Sequence, residues 1–194
     1  MRAPADKDPA PSPLASGDSG VLELLDGTRI TYRPIGPEDA ATLQRFHRRL
    51  SDRSVRLRFF GAKPELTGRK AGYFTRVDGV NRFALVALDP GSPGEIIAVA
   101  SFDREDETDR AEYAAAVVDS WQGRGLGLAL TRALISAALR RNVSVFTGLV
   151  LPENARMLNL LRDLNLPERF RFEDDVEYVE IELRPRGETG GQVP

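Results

Sequence analysis

Two β-prone runs in the first part of the chain flank the dipeptide Asp26-Gly27. The run from Val21 to Leu25 precedes this dipeptide, and the run from Thr28 to Arg33 follows it. Asp-Gly between such runs is typical of a β-hairpin. A helix is predicted next, from Pro37 to about Leu50, with acidic residues in its first turn, where they suit the helix dipole.

The middle of the chain has a helical pattern first and an extended pattern afterwards. An irregular helical region covers Ser54 to Arg76, and three largely apolar runs follow it at short spacing. Runs this close together predict an antiparallel meander. The three runs are Arg82 to Leu88, Glu95 to Phe102 and Ala111 to Val118.

The last third of the chain alternates between helix and strand. Leucines recur at every fourth position from Leu126 to Leu134 and predict a helix. The apolar run from Val143 to Val150 predicts a central strand that is covered on both faces. Another helix is predicted from Pro152 to about Leu164, and a strand from Val176 to Leu183, where apolar and acidic residues alternate.

A meander followed by alternating helices and strands predicts the α+β class, with a mixed, mostly antiparallel central sheet flanked by helices on both faces. Residues 1–20 are rich in Pro, Ser, Ala and Asp, and residues 185–194 have a similar character. Such segments bury little apolar surface, so we expect both to be disordered. The folded domain is therefore predicted to span residues 21–184.

Composition narrows the class of function. A chain of 194 residues has room for one ordinary domain, and its formal net charge of -2 gives no sign of binding to nucleic acid in bulk. No apolar run is long enough to span a bilayer and the first residues do not resemble a signal peptide, so we expect a cytoplasmic protein with no membrane partner. The sequence has no cysteine, which excludes disulfides and an acyl-cysteine intermediate. With His47 as the only histidine, we expect no metal site.

A glycine-rich turn between a predicted strand and a predicted helix is the segment most informative about chemistry. It reads Asp119-Ser120-Trp121-Gln122-Gly123-Arg124-Gly125-Leu126-Gly127-Leu128. The first N–H groups of a helix have no partner within it, and together with the helix dipole they form a site for an anion such as a pyrophosphate. Glycines let the backbone approach phosphates closely, and Arg124 adds a positive charge.

Other glycine-rich loops explain this turn less well. A Rossmann loop belongs to an early parallel βαβ unit, whereas this turn lies past the middle of the chain. A P-loop requires Gly-Lys-Ser/Thr, which is missing from the sequence. A plain turn that binds nothing stays open on the pattern alone, because short glycine patterns recur by chance.

The run from Gln122 to Gly127, with Val117 on the preceding strand, resembles the acetyl-CoA signature Gln/Arg-x-x-Gly-x-Gly/Ala of the GNAT superfamily of N-acetyltransferases. The order of predicted elements resembles the GNAT fold over essentially the whole predicted domain. Leu50 to Phe60 and Tyr73 to Ala87 further resemble the catalytic domain of bacterial Pat-type protein lysine acetyltransferases. The resemblance implies an enzyme that transfers an acetyl group from acetyl-CoA to an amine, favouring a protein lysine.

The resemblance also implies which residues contact the cofactor. The backbone of Ala115, Ala116 and Val117 would pair with the pantetheine arm as an added strand does, and Asn154 would contact the cofactor from the start of the next helix. The pyrophosphate would be held by Gln122, Gly123, Arg124, Gly125, Leu126, Gly127 and Leu128. Alanine is a poor strand former, so the alanine run indicates a close neighbour, which is either the cofactor or a packed helix. Asn154 has a helix-capping role as its alternative.

Glu112 is the candidate general base. A lysine amine has a pKa of about 10.4 and arrives protonated, so a carboxylate near the thioester has to accept its proton. Strand alternation places Glu112 on one face with Ala114 and Ala116, and the resemblance to Pat-type enzymes implies a catalytic glutamate there. The alternative is an exposed strand carboxylate paired with a cation. Many family members have a tyrosine acid where this chain has Leu161, so we expect no tyrosine acid at this site.

Three functions stay open at the level of the sequence. The favoured one is direct transfer to a protein lysine in a ternary complex. The others are acetylation of a small amine, such as a polyamine or an aminoglycoside-like antibiotic, and a non-catalytic module that senses acyl-CoA. A run of arginines between Arg48 and Arg58 is read as a solvated helical face, or as a site for the 3′-phosphate of CoA or for an acidic partner.

Overall fold

The computed structural model describes residues 17–60 and 65–184, and within these ranges eight strands form one sheet. The strands are β1 (Gly20–Glu23), β2 (Arg29–Pro34), β3 (Arg82–Asp89), β4 (Ser92–Arg104), β5 (Arg110–Val117), β6 (Val145–Val150), β7 (Glu168–Glu173) and β8 (Val176–Glu182). Their order across the sheet is β1-β2-β3-β4-β5-β6-β8-β7. Neighbouring strands are antiparallel, except for β5 and β6, which are parallel.

Five α-helices of the described residues connect these strands and cover the sheet. They are α1 (Ala40–Arg49), α2 (Asp52–Phe59), α3 (Gly68–Thr75), α4 (Leu126–Arg140) and α5 (Ala155–Arg162). Short 3-10 turns, Pro37–Asp39 and Asp119–Trp121, lie before α1 and α4. Ser51 and Thr67 cap α2 and α3, because the hydroxyl of each accepts a hydrogen bond from a backbone N–H of the first turn.

Three aromatic side chains lie in a row across β4, β5 and β6, and one of them, Tyr113, connects β5 to α4. The rings of Phe102 and Phe146 lie 6.0 Å apart, and the ring of Tyr113 stacks on Phe146 at 5.4 Å. The Tyr113 hydroxyl shares a 2.7 Å hydrogen bond with Thr131 Oγ1 on α4. Since successive side chains of a strand project to opposite faces, Glu112 projects away from α4, to the face that α2 covers.

The predicted α+β class is confirmed, with a mixed, mostly antiparallel sheet and helices packed on it. The hairpin around Asp26-Gly27, the meander of β3 to β5 and the helix after the glycine-rich turn are all present. The sequence pattern gives no bounds for β7, because Glu and Arg surround its two phenylalanines. In the described part of the chain no helix is both long and apolar enough to pass through a membrane.

Two details of the fold differ from the prediction. The folded region begins before the predicted Val21, because Asp18 is already buried and β1 begins at Gly20. The rest of the two segments predicted to be disordered, residues 1–16 and 185–194, lies outside the described residues. The prediction that both faces of β6 are covered is wrong: Phe146 is buried, whereas Leu149 on the opposite face is 46% exposed. An unbroken apolar run does not reveal which of its two faces a neighbour covers.

Candidate active site

β5 and β6 separate partway along their length. They pair only over Arg110–Glu112 of β5, and beyond this point β5 continues to Val117 with β4 as its ladder partner among the described residues. A gap therefore opens between the ends of the two strands. The four residues of β5 that border it, 114–117, are partly exposed. Ala115, Ala116 and Val117 pack against the core and still expose part of their surface, so these positions are not fully covered by a helix.

Backbone groups along β5 point alternately to β4 and into the gap. The Val118 N–H donates to Ile97 O at 3.0 Å, and alternation along the ladder follows from this bond. The N–H and C=O groups of Val117 and Ala115 consequently point into the gap, whereas those of Ala116 face β4. Of the three residues predicted to pair with the pantetheine arm, Ala115 and Val117 have the required backbone direction. The Ala116 backbone does not have it, because odd and even positions face opposite neighbours.

The glycine-rich turn follows β5 at the wide end of the gap and leads into α4. Gly123 and Gly125 have φ angles of 73° and 83°, a left-handed conformation that glycine adopts without steric cost. The Ala129 N–H donates to Gly125 O at 3.0 Å as the first bond of α4. The N–H groups of residues 126–128 therefore precede the first helical bond and are available to a ligand. A diphosphate suits such a helix start.

The Arg124 side chain has an acidic partner in the β1–β2 turn. Its Nη2 lies 2.7 Å from Asp26 Oδ2 and 3.3 Å from Thr28 Oγ1, and its guanidinium lies 4.2 Å from the centre of the Trp121 ring. The hydrogen bond from Arg124 lowers the pKa of Asp26. The positive charge of Arg124, which was predicted to lie beside a diphosphate, is thus paired with Asp26. The motif does not reveal this pair, because the two residues are far apart in sequence.

Gln122 connects three elements at the mouth of the gap. Its Nε2 donates to Val117 O at 2.8 Å and to Ser54 Oγ at 3.1 Å. Its Oε1 accepts a hydrogen bond from Arg156 on α5. The first residue of the signature therefore joins the end of β5 to α2 and α5.

α2 is attached on both sides of the gap. On the β5 side, the Asp119 carboxylate accepts hydrogen bonds from Ser51 N at 3.0 Å, Ser51 Oγ at 2.7 Å and Ser54 Oγ at 2.9 Å. Burial opposes the ionisation of Asp119, but these hydrogen bonds outweigh it and lower the pKa of the carboxyl. On the β6 side, Arg56 Nη2 lies 2.9 Å from Glu153 Oε1, just before α5. Part of the arginine run is therefore paired rather than a free solvated face.

Glu112 is exposed on the face of β5 next to α2. Among the described residues its carboxylate has no hydrogen bond and no ion pair within 4.0 Å, so the alternative of a paired strand carboxylate is not what the structure contains. The guanidinium of Arg58, near the end of α2, is its charged neighbour: burial lowers the pKa of Arg58, and the charge of Glu112 acts in the opposite direction. Asp103 lies directly opposite Glu112 on β4.

Asn154, Leu161 and Tyr113 bear on the cofactor and on the general acid. Asn154 caps α5, because its Oδ1 accepts a 3.2 Å hydrogen bond from Met157 N. Leu161 is buried in the core and carries no proton to donate. Burial raises the pKa of Tyr113 to about 12, and its hydroxyl is bonded to Thr131, so it is a poor acid for this site.

Sequence reasoning does not find Ser51, Ser54 or Asp119 as residues of the site. It includes Arg58 only in the arginine run, as part of a solvated face or of a site for the 3′-phosphate of CoA or an acidic partner, and not as a neighbour of Glu112. Ser51 and Ser54 have the spacing of a helix N-cap, which signals the start of α2 but not its contact with Asp119. Within the described ranges no group of three or more His, Asp and Glu side chains is placed to hold a metal ion.

Residues 29–166 match the family model described as an acetyltransferase (GNAT) domain. The chain is 32% identical over 141 residues to acetyltransferase Pat of Mycolicibacterium smegmatis, a match that covers 72% of this chain and 42% of that relative. The chain therefore spans less than half the length of Pat.

Solved structures have the same fold. The GNAT domain of S. lividans PAT aligns with a TM-score of 0.81 at 32% identity, over 88% of this chain and 99% of that domain. A putative acetyltransferase from Salmonella typhimurium, solved with its cofactor acetyl-CoA, aligns with a TM-score of 0.61 at 18% identity, over 81% of this chain and 95% of that one. At that identity the second alignment shows a shared fold.

Proposed function

The chain belongs to the GNAT acetyltransferase family and uses acetyl-CoA as its acetyl donor, and we propose that its acceptor is the side-chain amine of a lysine in another protein. The likeness to Pat and to the GNAT domain of S. lividans PAT carries this proposal. The two segments that resemble Pat-type lysine acetyltransferases contain α2, the last three residues of α3 and most of β3. The first segment includes Arg58, the charged neighbour of Glu112. The second includes Arg82, which pairs with Asp103, the cross-strand partner of Glu112.

We assign the gap between β5 and β6 to the pantetheine arm of acetyl-CoA. The backbone groups of Ala115 and Val117 point into the gap, as pairing with an added strand requires. The diphosphate is assigned to the amides at the start of α4, with the turn shaped by Gly123 and Gly125. Gln122 and Asn154 hold the surrounding elements in place and are proposed as further contacts.

Glu112 is proposed to accept the proton that the lysine ammonium has to lose, directly or through water. Bound acetyl-CoA supplies a thioester carbon that a neutral amine can attack. The lysine nitrogen then forms a bond to this carbon, and the electron pair of the broken C–S bond goes to the sulfur of CoA. The Val117 N–H points into the gap and is proposed to stabilise the negative charge that develops on the carbonyl oxygen.

The acetyl group is proposed to pass directly from donor to acceptor. The sequence has no cysteine that could carry it. The CoA thiol has an ordinary pKa of about 8.5, so its thiolate is a fair leaving group and water can protonate it. This fits a site in which Leu161 and Tyr113 supply no acid.

The acceptor is tested by following the release of CoA from acetyl-CoA with lysine peptides, polyamines and aminoglycosides as acceptors. We expect a higher kcat/KM for the lysine peptides than for the small amines. Transfer to small amines alone would make this protein a small-molecule acetyltransferase. Binding of acetyl-CoA without transfer to any acceptor would make it a sensor.

The base is tested with Glu112→Gln, which keeps the shape of the side chain and removes its charge. We expect kcat to fall by about 10²- to 10⁴-fold, the usual contribution of a general base. The dissociation constant of acetyl-CoA, measured by calorimetry, stays unchanged. Glu23→Gln is the matched control, because Glu23 is an exposed strand glutamate at the far edge of the sheet. Equal activity of the two variants would refute the assignment of Glu112.

A further inference from the structure

A groove of about 440 Å³, open to solvent, lies between the end of α2 and α3. It is separate from the gap between β5 and β6. We call it the aromatic groove, and its principal lining residues are Phe59, Leu66, Arg69, Lys70, Tyr73 and Phe74.

The aromatic side chains of this groove are unusually exposed. Phe59 is 37% exposed, Tyr73 59% and Phe74 43%. The rings of Tyr73 and Phe74 meet edge to face at 5.6 Å, and the ring of Phe59 lies 5.9 Å from His47 at the base of the groove. Clustered exposed apolar side chains mark interaction sites, and aromatic residues are enriched in the buried centres of protein interfaces.

Two series of side-chain contacts connect the groove to Glu112. The Arg82 guanidinium lies 4.0 Å from the centre of the Tyr73 ring, and its Nε is 3.3 Å from Asp103 Oδ2. Asp103 is the cross-strand partner of Glu112. Arg82 and Asp103 therefore connect the groove to Glu112, the carboxylate that the acceptor amine has to reach.

The second series of contacts involves the end of α2. Phe59 lines the groove, and the guanidinium of the preceding residue, Arg58, lies 5.0 Å from the centre of the Phe59 ring. Arg58 is also the charged neighbour of Glu112. One end of α2 thus borders both the groove and the base.

The charges around the groove are mainly positive. Arg69 and Lys70 line it, against the carboxylate of Glu65. Arg82, between the groove and Glu112, is paired with Asp103, so the net positive charge at the groove comes from Arg69 and Lys70. A segment with an acidic residue complements this charge, whereas cationic polyamines and aminoglycosides are repelled by it.

We propose that the aromatic groove binds the polypeptide next to the acceptor lysine. It takes one bulky apolar side chain of the acceptor protein and sets an acidic residue against Arg69 and Lys70, while the lysine reaches Glu112. This inference rests on the proposed function and deepens it, because it states which lysines are acetylated: those with an apolar and an acidic neighbour.

The experiment uses short peptides that contain one lysine and acetyl-CoA as donor. One phenylalanine is moved through the positions on both sides of the lysine, with either aspartate or arginine at a second position. We expect kcat/KM to peak at one phenylalanine position and to be higher with aspartate than with arginine. Nα-acetyl-lysine amide is the acceptor that has no flanking residues.

Two variants test the groove against this series. Phe74→Ala is expected to lower kcat/KM for the best peptide by about tenfold or more, as loss of an aromatic anchor does, and to leave the rate with Nα-acetyl-lysine amide unchanged. The double variant Arg69→Glu, Lys70→Glu is expected to reverse the preference from aspartate to arginine. Val21→Ala removes an exposed apolar side chain from β1 at the far edge of the sheet and is the control.

Separate results contradict the inference and the function on which it rests. If kcat/KM for the lysine peptides depends on neither the phenylalanine position nor the flanking charge, the inference about the groove is wrong and the proposed function is unaffected. A dimer that Phe74→Ala dissociates, seen by analytical ultracentrifugation, assigns the groove to a second copy of this chain and also overturns the inference. Transfer to small amines with none to any peptide or to the lysine amide overturns the proposed function itself.

Discussion

The side chain of Gln122 is the most connected of the signature residues. It donates to Val117 O and to Ser54 Oγ and accepts from Arg156. Val117 also has an N–H that points into the gap. Gln122 therefore holds in place the strand end that borders the thioester site in the proposed complex.

We predict that Gln122→Ala weakens the binding of acetyl-CoA about three- to tenfold, the effect of losing one or two net hydrogen bonds. The reason is that the end of β5 loses its tie to α2. Calorimetric titration with acetyl-CoA measures the effect. Gln44→Ala is the control, because Gln44 also donates one side-chain bond to a backbone carbonyl, Leu66 O, at a distance from the glycine-rich turn. Equal affinities of the two variants would contradict the prediction.

Gly125 is required for the conformation of the turn rather than for space. A Cβ at this position meets no atom within 4 Å, but the φ angle is 83°. We predict that Gly125→Ala lowers the free energy of unfolding by about 1–2 kcal/mol, the cost of the left-handed conformation for an L-residue. Gly68→Ala, in equally open space at the first position of α3 and without a positive φ, should be neutral or slightly stabilising. Urea unfolding measures both, and a neutral Gly125→Ala would refute this explanation.

Single residues were predictable from sequence where local rules apply. The glycine-rich turn after β5 and the helix that follows it were predicted from local sequence patterns, and the structure contains both. The partner of Arg124 does not, because Asp26 comes from the other end of the domain. The direction of the Ala116 backbone depends on the register with β4, which one strand does not specify.

α2 is the element on which the geometry of the site depends. Its first turn is bonded to Asp119, its middle to Glu153, and its last turn borders Glu112 and the aromatic groove. A helix of this length has little stability on its own, so these contacts and the burial of Val55 hold it in place.

We predict that Asp119→Ala loosens α2. Three hydrogen bonds to the carboxylate are lost, and the first turn of the helix loses its attachment to the glycine-rich turn. Amide hydrogen exchange in α2 is expected to accelerate about tenfold or more, while exchange in α4 stays unchanged. Asp106→Ala, in an exposed turn, is the control. Unchanged exchange in α2 would show that Asp119 does not hold the helix.

The point at which β5 and β6 separate could not be predicted from the hydrophobic pattern of the individual strands. Both strands are recognisable from apolar runs, and their parallel relation fits the crossover helix between them. The point at which they part, after Glu112, depends on how α2, α4 and α5 pack around the gap. Such packing joins segments distant in sequence, so the pattern of neither strand predicts the gap. The family resemblance implied only that Ala115, Ala116 and Val117 pair with the pantetheine arm.

Asp18 ties the start of the folded region to the end of α4. Its Oδ1 lies 2.6 Å from Arg140 Nη2 and its Oδ2 lies 2.6 Å from Arg141 Nη2, and its side chain is 1% exposed. Arg141 also lies 3.9 Å from the centre of the Phe83 ring and donates to Gly79 O. The composition of residues 1–20 does not reveal this contact, because one buried aspartate leaves no compositional signal.

The ionisation of Asp18 links its ion pairs to pH. Burial opposes the charged form, but the hydrogen bonds and charges of Arg141 and Arg140 outweigh it and lower the pKa of Asp18 from 3.8. The unfolded chain therefore takes up a proton at a higher pH than the folded one. The stabilisation is complete above the unfolded pKa and is lost as the pH falls through the lower folded pKa.

We predict that Asp18→Asn lowers the free energy of unfolding at neutral pH by about 3–5 kcal/mol, because two arginines lose a buried partner. Urea unfolding from neutral pH to below pH 4 should show the wild type losing stability more steeply than the variant in the acid range, so that the two curves converge. Asp26→Asn removes an exposed ion pair of similar length, Asp26–Arg124, and should cost much less. Parallel curves for wild type and Asp18→Asn, separated by the same amount at every pH, would mean that the variant acts through packing and not through the charge of Asp18.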